Sequence, residues 1–214
     1  MKLNRSNLSS LVLLILYAVG FVGTLLDVAW VQGATPFHLL VCLALFIANE
    51  SSIWRGRILL TGIVVFLFGI AIEWLGVRYQ WPFGAYVYGS RLGIKLGGIP
   101  LTMGINWLLL GLLSADISKK ILADRPIIMQ SSLGAVFMLL TDVPMERICG
   151  RLDFWHWQTG TAPIQNYIAW LVLGIGVQYF ILKSRTKEAG NAISVLLFSL
   201  QFLFFLGLSF LLKD

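Results

Sequence analysis

Residues 58–78 read ILLTGIVVFLFGIAIEWLGVR, with no charge for fifteen residues before Glu73. At a helical rise of about 1.5 Å per residue the run is long enough for a hydrocarbon layer of about 30 Å. Six further apolar runs follow the same form, giving seven at 11–32, 36–53, 58–78, 98–115, 126–146, 163–182 and 191–212. The second is the weakest, since Asn49 and Glu50 shorten its apolar part. The runs are continuous rather than alternating, which speaks against a barrel, and an open sheet would leave edge groups unpaired in lipid. The expected fold is an all-α polytopic integral membrane protein of about seven transmembrane helices, forming one domain over 1–214.

Composition agrees. The chain has 214 residues, 58% of them hydrophobic and only 12% charged, where soluble domains carry about 25% charged residues. The net charge is +6, but the basic residues are scattered singly between apolar runs, so nucleic acid is not an expected partner. With the N-terminus cytoplasmic, that side holds ten basic residues (Lys2, Arg5, Arg55, Arg57, Lys119, Lys120, Arg125, Lys183, Arg185 and Lys187) against six on the other. This bias predicts an N-in, C-out protein of the cell membrane. The first run lacks a small-residue cleavage site and reads as a retained span. Cys42 lies within an apolar run, so no disulfide with Cys149 is expected.

Ionisable residues inside spans are costly and are functional candidates by default. Asp27, Glu73, Asp142 and Glu146 each fall near the same end of an odd-numbered span, so four acids are expected to converge at one leaflet. Asn166 opens span six at that level, and Asn106 sits deeper in span four. The plain alternatives are interfacial hydration for Asp27, and a salt bridge from Glu146 to Arg147 or Arg151.

Two aromatic-rich loops follow these acids. The first runs from Glu73 and Trp74 through Trp81, Pro82, Phe83, Gly84, Tyr86 and Tyr88 to Gly89, Gly93, Gly97 and Pro100. It is expected to fold as a re-entrant or interfacial lid. Its glycines follow no strand and precede no Lys-Ser/Thr pair, so they do not form a phosphate loop; their spacing of four equally suits helix packing. The second loop contains Asp142, Pro144, Glu146, Trp155, His156, Trp157, Pro163, Asn166 and Trp170. Asp142 and Glu146, four apart, share a helix face, and Pro144 should end or bend that helix. The tryptophans gather toward one side, with Trp107 internal and Trp54 opposite. That asymmetry suits a binding site for a long apolar ligand better than a symmetric interfacial belt.

His38 and His156 are the only histidines, and neither has a partner at ligand spacing, so no metal and no other cofactor are expected. What remains is acid chemistry on an apolar substrate. A carboxyl group in an apolar site can keep its proton and deliver it to an alkene. Aromatic faces can stabilise the resulting cation, and a second carboxylate can steer water onto it or take a proton from it.

Glu73…Pro82-Phe83-Gly84-Ala85-Tyr86-Val87-Tyr88, Leu92-Gly93…Pro100…Trp107 and Asp142-Val143-Pro144…Trp155-His156-Trp157…Gly160…Pro163…Asn166…Trp170 together resemble the CruF-type carotenoid 1,2-hydratases, carotenoid biosynthesis proteins that include bisanhydrobacterioruberin hydratase. The resemblance covers roughly residues 60–180. It implies a cofactor-independent hydro-lyase that adds water across the terminal double bond of an acyclic carotenoid. Its expected catalytic residues are Glu73, Asp142 and Glu146, with Asp142 favoured as acid and Glu73 as water-binder. The expected substrate-binding residues are Trp74, Trp81, Phe83, Tyr86, Tyr88, Asn106, Trp107, Trp155, Trp157, Asn166 and Trp170. The implied partners are a polyene, the bilayer and other enzymes of the carotenoid pathway. Two alternatives stand beside this reading. Pro144-Met145-Glu146 faintly resembles the Pro-x-Glu of short membrane lycopene cyclases, and a non-catalytic transporter or assembly factor for pigment enzymes is the other.

Overall fold

A computed structural model describes residues 4–50, 52–185 and 190–212, without the side chains of 52–56 and 58. Trp54 and Arg55 therefore fall outside the described side chains, and Lys2, Lys187 and Lys213 outside the described residues. Among the described residues there are eight helices: α1 (Arg5–Leu25), α2 (Ala29–Gly33), α3 (Thr35–Asn49), α4 (Ser52–Tyr79), α5 (Leu101–Ile121), α6 (Ile127–Glu146), α7 (Ile164–Ser184) and α8 (Ser194–Leu211). Six are long and apolar enough to cross a membrane, so the protein is a multi-pass, all-α membrane protein. The one run left over, the second, is α3, of only 15 residues. At its end Asn49 Nδ2 donates to Ser9 Oγ and the Leu45 carbonyl, and the five-residue α2 precedes it, packed against α1 and α3.

α5 is the central post. Every residue from Thr102 to Ser118 is buried, the polar Asn106 and Asp116 included, because other helices enclose it. It packs against α3, α4, α6, α7 and α8. Close approach of α4 depends on Gly69, where a Cβ would lie 2.9 Å from Trp107 Cβ.

The two aromatic loops form the lid. β1 (Tyr86–Tyr88) pairs antiparallel with β4 (Trp155–Trp157), placing Tyr86 opposite Trp157, Val87 opposite His156 and Tyr88 opposite Trp155. A second small ladder, β2 (Lys95–Leu96) with β3 (Ile99–Pro100), leads into α5. Gly89 lies in the lid rather than on a helix. A Cβ there would collide with the Asp153 carbonyl and carboxylate, so glycine is needed for the two loops to touch. Gly93 and Gly97 have positive φ, 82° and 60°, which removes the helix-packing reading. Outside the sheet, Ser90 N–H and Oγ donate to Asp153, whose other oxygen meets His156 Nε2 at 2.8 Å. The Ser90 hydroxyl and then His156 hold the Asp153 carboxyl down at about 2. Pro144 does not end α6, which continues to Glu146.

The opposite end of the bundle is tied by charge. Arg185 pairs with Asp116 at the C-terminal end of α5 and lies 3.8 Å from Glu50. Asn191 Nδ2 donates to Glu50 and Ser194 Oγ to Asp116. Glu50, which shortens the second apolar run, is buried in this network. Removing one partner of a buried ion pair strands the other charge, typically at about 3–5 kcal/mol. Arg185→Met should therefore lower unfolding stability in detergent by that order. Arg57→Met, at an exposed position outside the network, should change it by less than about 0.5 kcal/mol.

Candidate active site

Glu73, Asp142 and Glu146 come together beneath the lid, and each is buried. Glu73 lies six residues before the end of α4, Asp142 one turn before the end of α6, and Glu146 is the last residue of α6. The spacing of four on α6 sets both acids toward Asn166, the third residue of α7. Asn166 Nδ2 donates to Asp142 Oδ2 at 3.1 Å and Glu146 Oε1 at 3.0 Å, bridging the pair.

The lid supplies most of the remaining donors. Successive side chains of a strand point to opposite faces, so Tyr86 and Tyr88 face inward with Trp155 and Trp157, while Val87 and His156 face out. Tyr86 and Tyr88 hydroxyls donate to Glu73 Oε2 at 2.5 and 2.6 Å, and Trp107 Nε1 donates to Oε1 at 2.9 Å. Trp155 and Trp157 indoles donate to Glu146 Oε2 at 3.1 and 2.6 Å. Burial, and then the adjacent Glu73, push both lid phenols well above their usual pKa, so they stay protonated donors. These indoles hold Glu146, and Arg147, one of the two salt-bridge partners considered for it, lies over the Phe210 ring at 5.6 Å. Asp142 differs from the other two acids: its Oδ1 has no partner among the described residues.

Between the carboxyls is a cavity of about 20 Å³, also lined by Phe83, Met103 and Trp170. A water needs roughly 10–15 Å³ measured in this way, together with two to four polar partners, so the space fits one. Trp170 is stacked on Trp107 with centroids 4.3 Å apart and planes 1° from parallel. Met103 and Trp155 also line a second, larger crevice of about 230 Å³, walled by α1, α2, α3, α5 and α8 and almost wholly apolar. Trp30 and Phe37 stand largely exposed at its wall.

The motif that spans both loops and the helices around them matches the carotenoid biosynthesis protein family over residues 33–213. The chain belongs to that family. Membership places it in carotenoid biosynthesis, and both aromatic loops lie inside the matched stretch. A relative, the bisanhydrobacterioruberin hydratase of Haloarcula japonica, is 29% identical over 116 residues, which cover 50% of this chain and 39% of that protein. The match thus spans well under half the length of the relative. No solved structure matches.

Of the residues expected at a carotenoid site, Glu73, Asp142, Glu146, Phe83, Tyr86, Tyr88, Trp155, Trp157, Asn166 and Trp170 line the small cavity, and Trp107 backs it. Asn106 lines the apolar crevice instead. Trp74 and Trp81 are 44% and 62% exposed and line neither space; one residue beyond Glu73, Trp74 is turned about 100° round the helix. Asp27 is exposed at the α1–α2 turn, bonded to Gln32 at 2.9 Å, so three acids converge rather than four. Met103 and the α1–α3 wall carry no sequence signal beyond apolarity. Hydrogen bonds to charged groups contribute about 1.5–3 kcal/mol. Trp157→Phe should therefore lower thermal stability measurably in the native protein and much less in a Glu146→Leu background, a coupling read by a double-mutant cycle.

Proposed function

We propose that this carotenoid biosynthesis protein hydrates the terminal double bond of an acyclic carotenoid end group without a cofactor. The observation that carries the reading is the water-sized cavity walled by three buried carboxyls, one with a free oxygen, beside an apolar crevice that shares two of its residues. The polyene lies in the crevice and presents its terminal alkene past Met103 and Trp155.

Roles follow from the donor inventory. Glu73 and Glu146 each accept several hydrogen bonds, which suits the ionised form. Asp142 has only the Asn166 amide, so its open oxygen carries the proton. Asp142 protonates the alkene at its less substituted carbon, leaving a tertiary carbocation. Trp170 and Trp155 faces, with the Glu73 charge, stabilise that cation. Water in the cavity attacks the cation, and its proton passes to Glu146, whose Oε1 keeps a lone pair open. A proton returned from Glu146 to Asp142 through the next water resets the site. Glu146 replaces Glu73 as the proposed water-binder because Asn166 joins it to Asp142. The carboxylates' oxygens are largely taken by indole, phenol and amide donors, so chelators should leave activity unchanged.

Expression in a polyene-producing bacterium tests the reaction. The product should be heavier than its precursor by one water, and isotopically labelled water should place its oxygen in the new hydroxyl. Glu146→Gln and Asp142→Asn should each lower product about 10²–10⁴-fold while the protein stays in the membrane. Product of unchanged mass with a ring would instead favour the cyclase reading, and wild-type yield from both variants would remove the acids from the mechanism.

We further propose that the lid faces away from the cytoplasm, supported by the distribution of basic residues. Both native cysteines are buried, so they do not compete with introduced ones. In whole cells an impermeant thiol reagent should label Ile94→Cys, which is exposed in the lid loop. It should spare Ile121→Cys, exposed at the opposite end of α5. The reverse pattern would invert the topology.

A further inference from the structure

Thr24, Gln32, Thr35, His38 and Thr102 also line the apolar crevice, but one pair in its lining is buried with hydrogen-bonding atoms left unmet. Asn106 of α5 and Gln201 of α8 are only 4% and 2% exposed, and both line it. Gln201 Nε2 donates to Asn106 Oδ1 at 3.4 Å. Asn106 Nδ2 and Gln201 Oε1 are left without a partner among the described residues. Turning both amides over gives the same remainder, one N–H donor and one carbonyl acceptor. Buried amide groups in this condition are costly, and a hydrocarbon occupant would leave them so. A hydroxyl satisfies both, because it donates and accepts at one atom. Asn106 is three residues from Met103, about one helical turn, and Met103 borders both the crevice and the carboxylate cavity. A group held at Asn106 is therefore only a few bonds from an alkene held at the carboxyls.

We propose that the Asn106–Gln201 pair binds a hydroxyl group of the polyene close to its reacting end, so that the crevice selects an alcohol over a plain hydrocarbon. The inference rests on the reading of the carboxylate cavity as the reaction site. Two sources of that hydroxyl share the chemistry: one already present on the substrate near its terminal alkene, or the one formed by hydration.

Binding to the full-length protein in lipid nanodiscs, followed by tryptophan quenching, separates them with three probes. These are an acyclic polyene hydrocarbon, the same polyene with a tertiary alcohol beside an intact terminal alkene, and the same polyene with the alcohol in place of that alkene. At least one alcohol should bind roughly 10-fold or more tightly than the hydrocarbon, and which one does so names the source. The double variant Asn106→Leu/Gln201→Met replaces both amides by apolar groups of similar size, which folds tolerate well. It should lose the preference by weakening alcohol binding, while hydrocarbon binding persists and shows that the variant is folded. Equal binding of all three probes by the wild type, or a preference that survives in the double variant, overturns the proposal. Hydration is scored separately by product mass. An alcohol preference without any product would support the pair and count against the catalytic reading of the carboxyls.

Discussion

A carboxyl group taken out of water must be given donors, and three of them placed side by side must be given many. That demand organises one whole end of this protein. α4 and α6 bring the acids in, but neither helix can satisfy them, since their own N–H groups are committed to helical bonds. The donors come from elsewhere: the Trp107 indole of α5, the Asn166 amide at the start of α7, and two tyrosines and two tryptophans from the lid. The lid has to be a sheet for this to work. Only a two-residue period delivers two rings from each strand to one face while the backbone satisfies itself across the ladder.

The two ends of the bundle solve the problem of buried acid in different ways. At the end opposite the lid, Asp116 and Glu50 share the cation Arg185, which offsets part of their charge and ties α5, the segment after α7 and the α3–α4 link together. Beneath the lid the donors that meet the acids are neutral indoles, phenols and an amide. Neutral donors hold a carboxylate in place without cancelling its field. An ion-paired cluster is suited to fastening helices, whereas a cluster satisfied by dipoles keeps a negative potential that a cationic intermediate can use.

Much of this was legible in the residues, and the boundary of legibility has a physical cause. Seven apolar runs give the helices, and the spacing of Asp142 and Glu146 gives their shared face. The tyrosine and tryptophan alternation in 86–88 and 155–157 carries the inward faces of β1 and β4, though the pairing of the two segments is not visible in either alone. Rotation about the helix axis was harder to read. In a soluble helix the polar side marks what faces out, but a helix in lipid is apolar on every side. Trp74 therefore looks as well placed as Trp107 in sequence, although the first stands exposed and the second reaches Glu73. Asp116 and Glu50 were missed as a cluster because their partner, Arg185, is far along the chain. The wall of the crevice was invisible for the same reason as Trp74: Tyr17, Phe37 and Phe204 look like any lipid-facing residues.

The size of the inner cavity bears on how one scaffold could direct a carbocation. Once an end-group alkene is protonated, the cation has three fates: capture by water, attack by a neighbouring double bond to close a ring, or loss of a proton. Ring closure needs the chain to fold back on itself, which takes up far more room than a single water. A cavity of about 20 Å³ beside Asp142 and Glu146 admits the water and excludes the folded chain. The apolar crevice is larger, about 230 Å³, but the acids do not line it. On the proposed mechanism, the separation of the two spaces by Met103 and Trp155 selects the product. The body of the polyene is kept extended in one space and only its terminal alkene reaches the acid and the water in the other, so the cation meets oxygen before it can meet a second alkene.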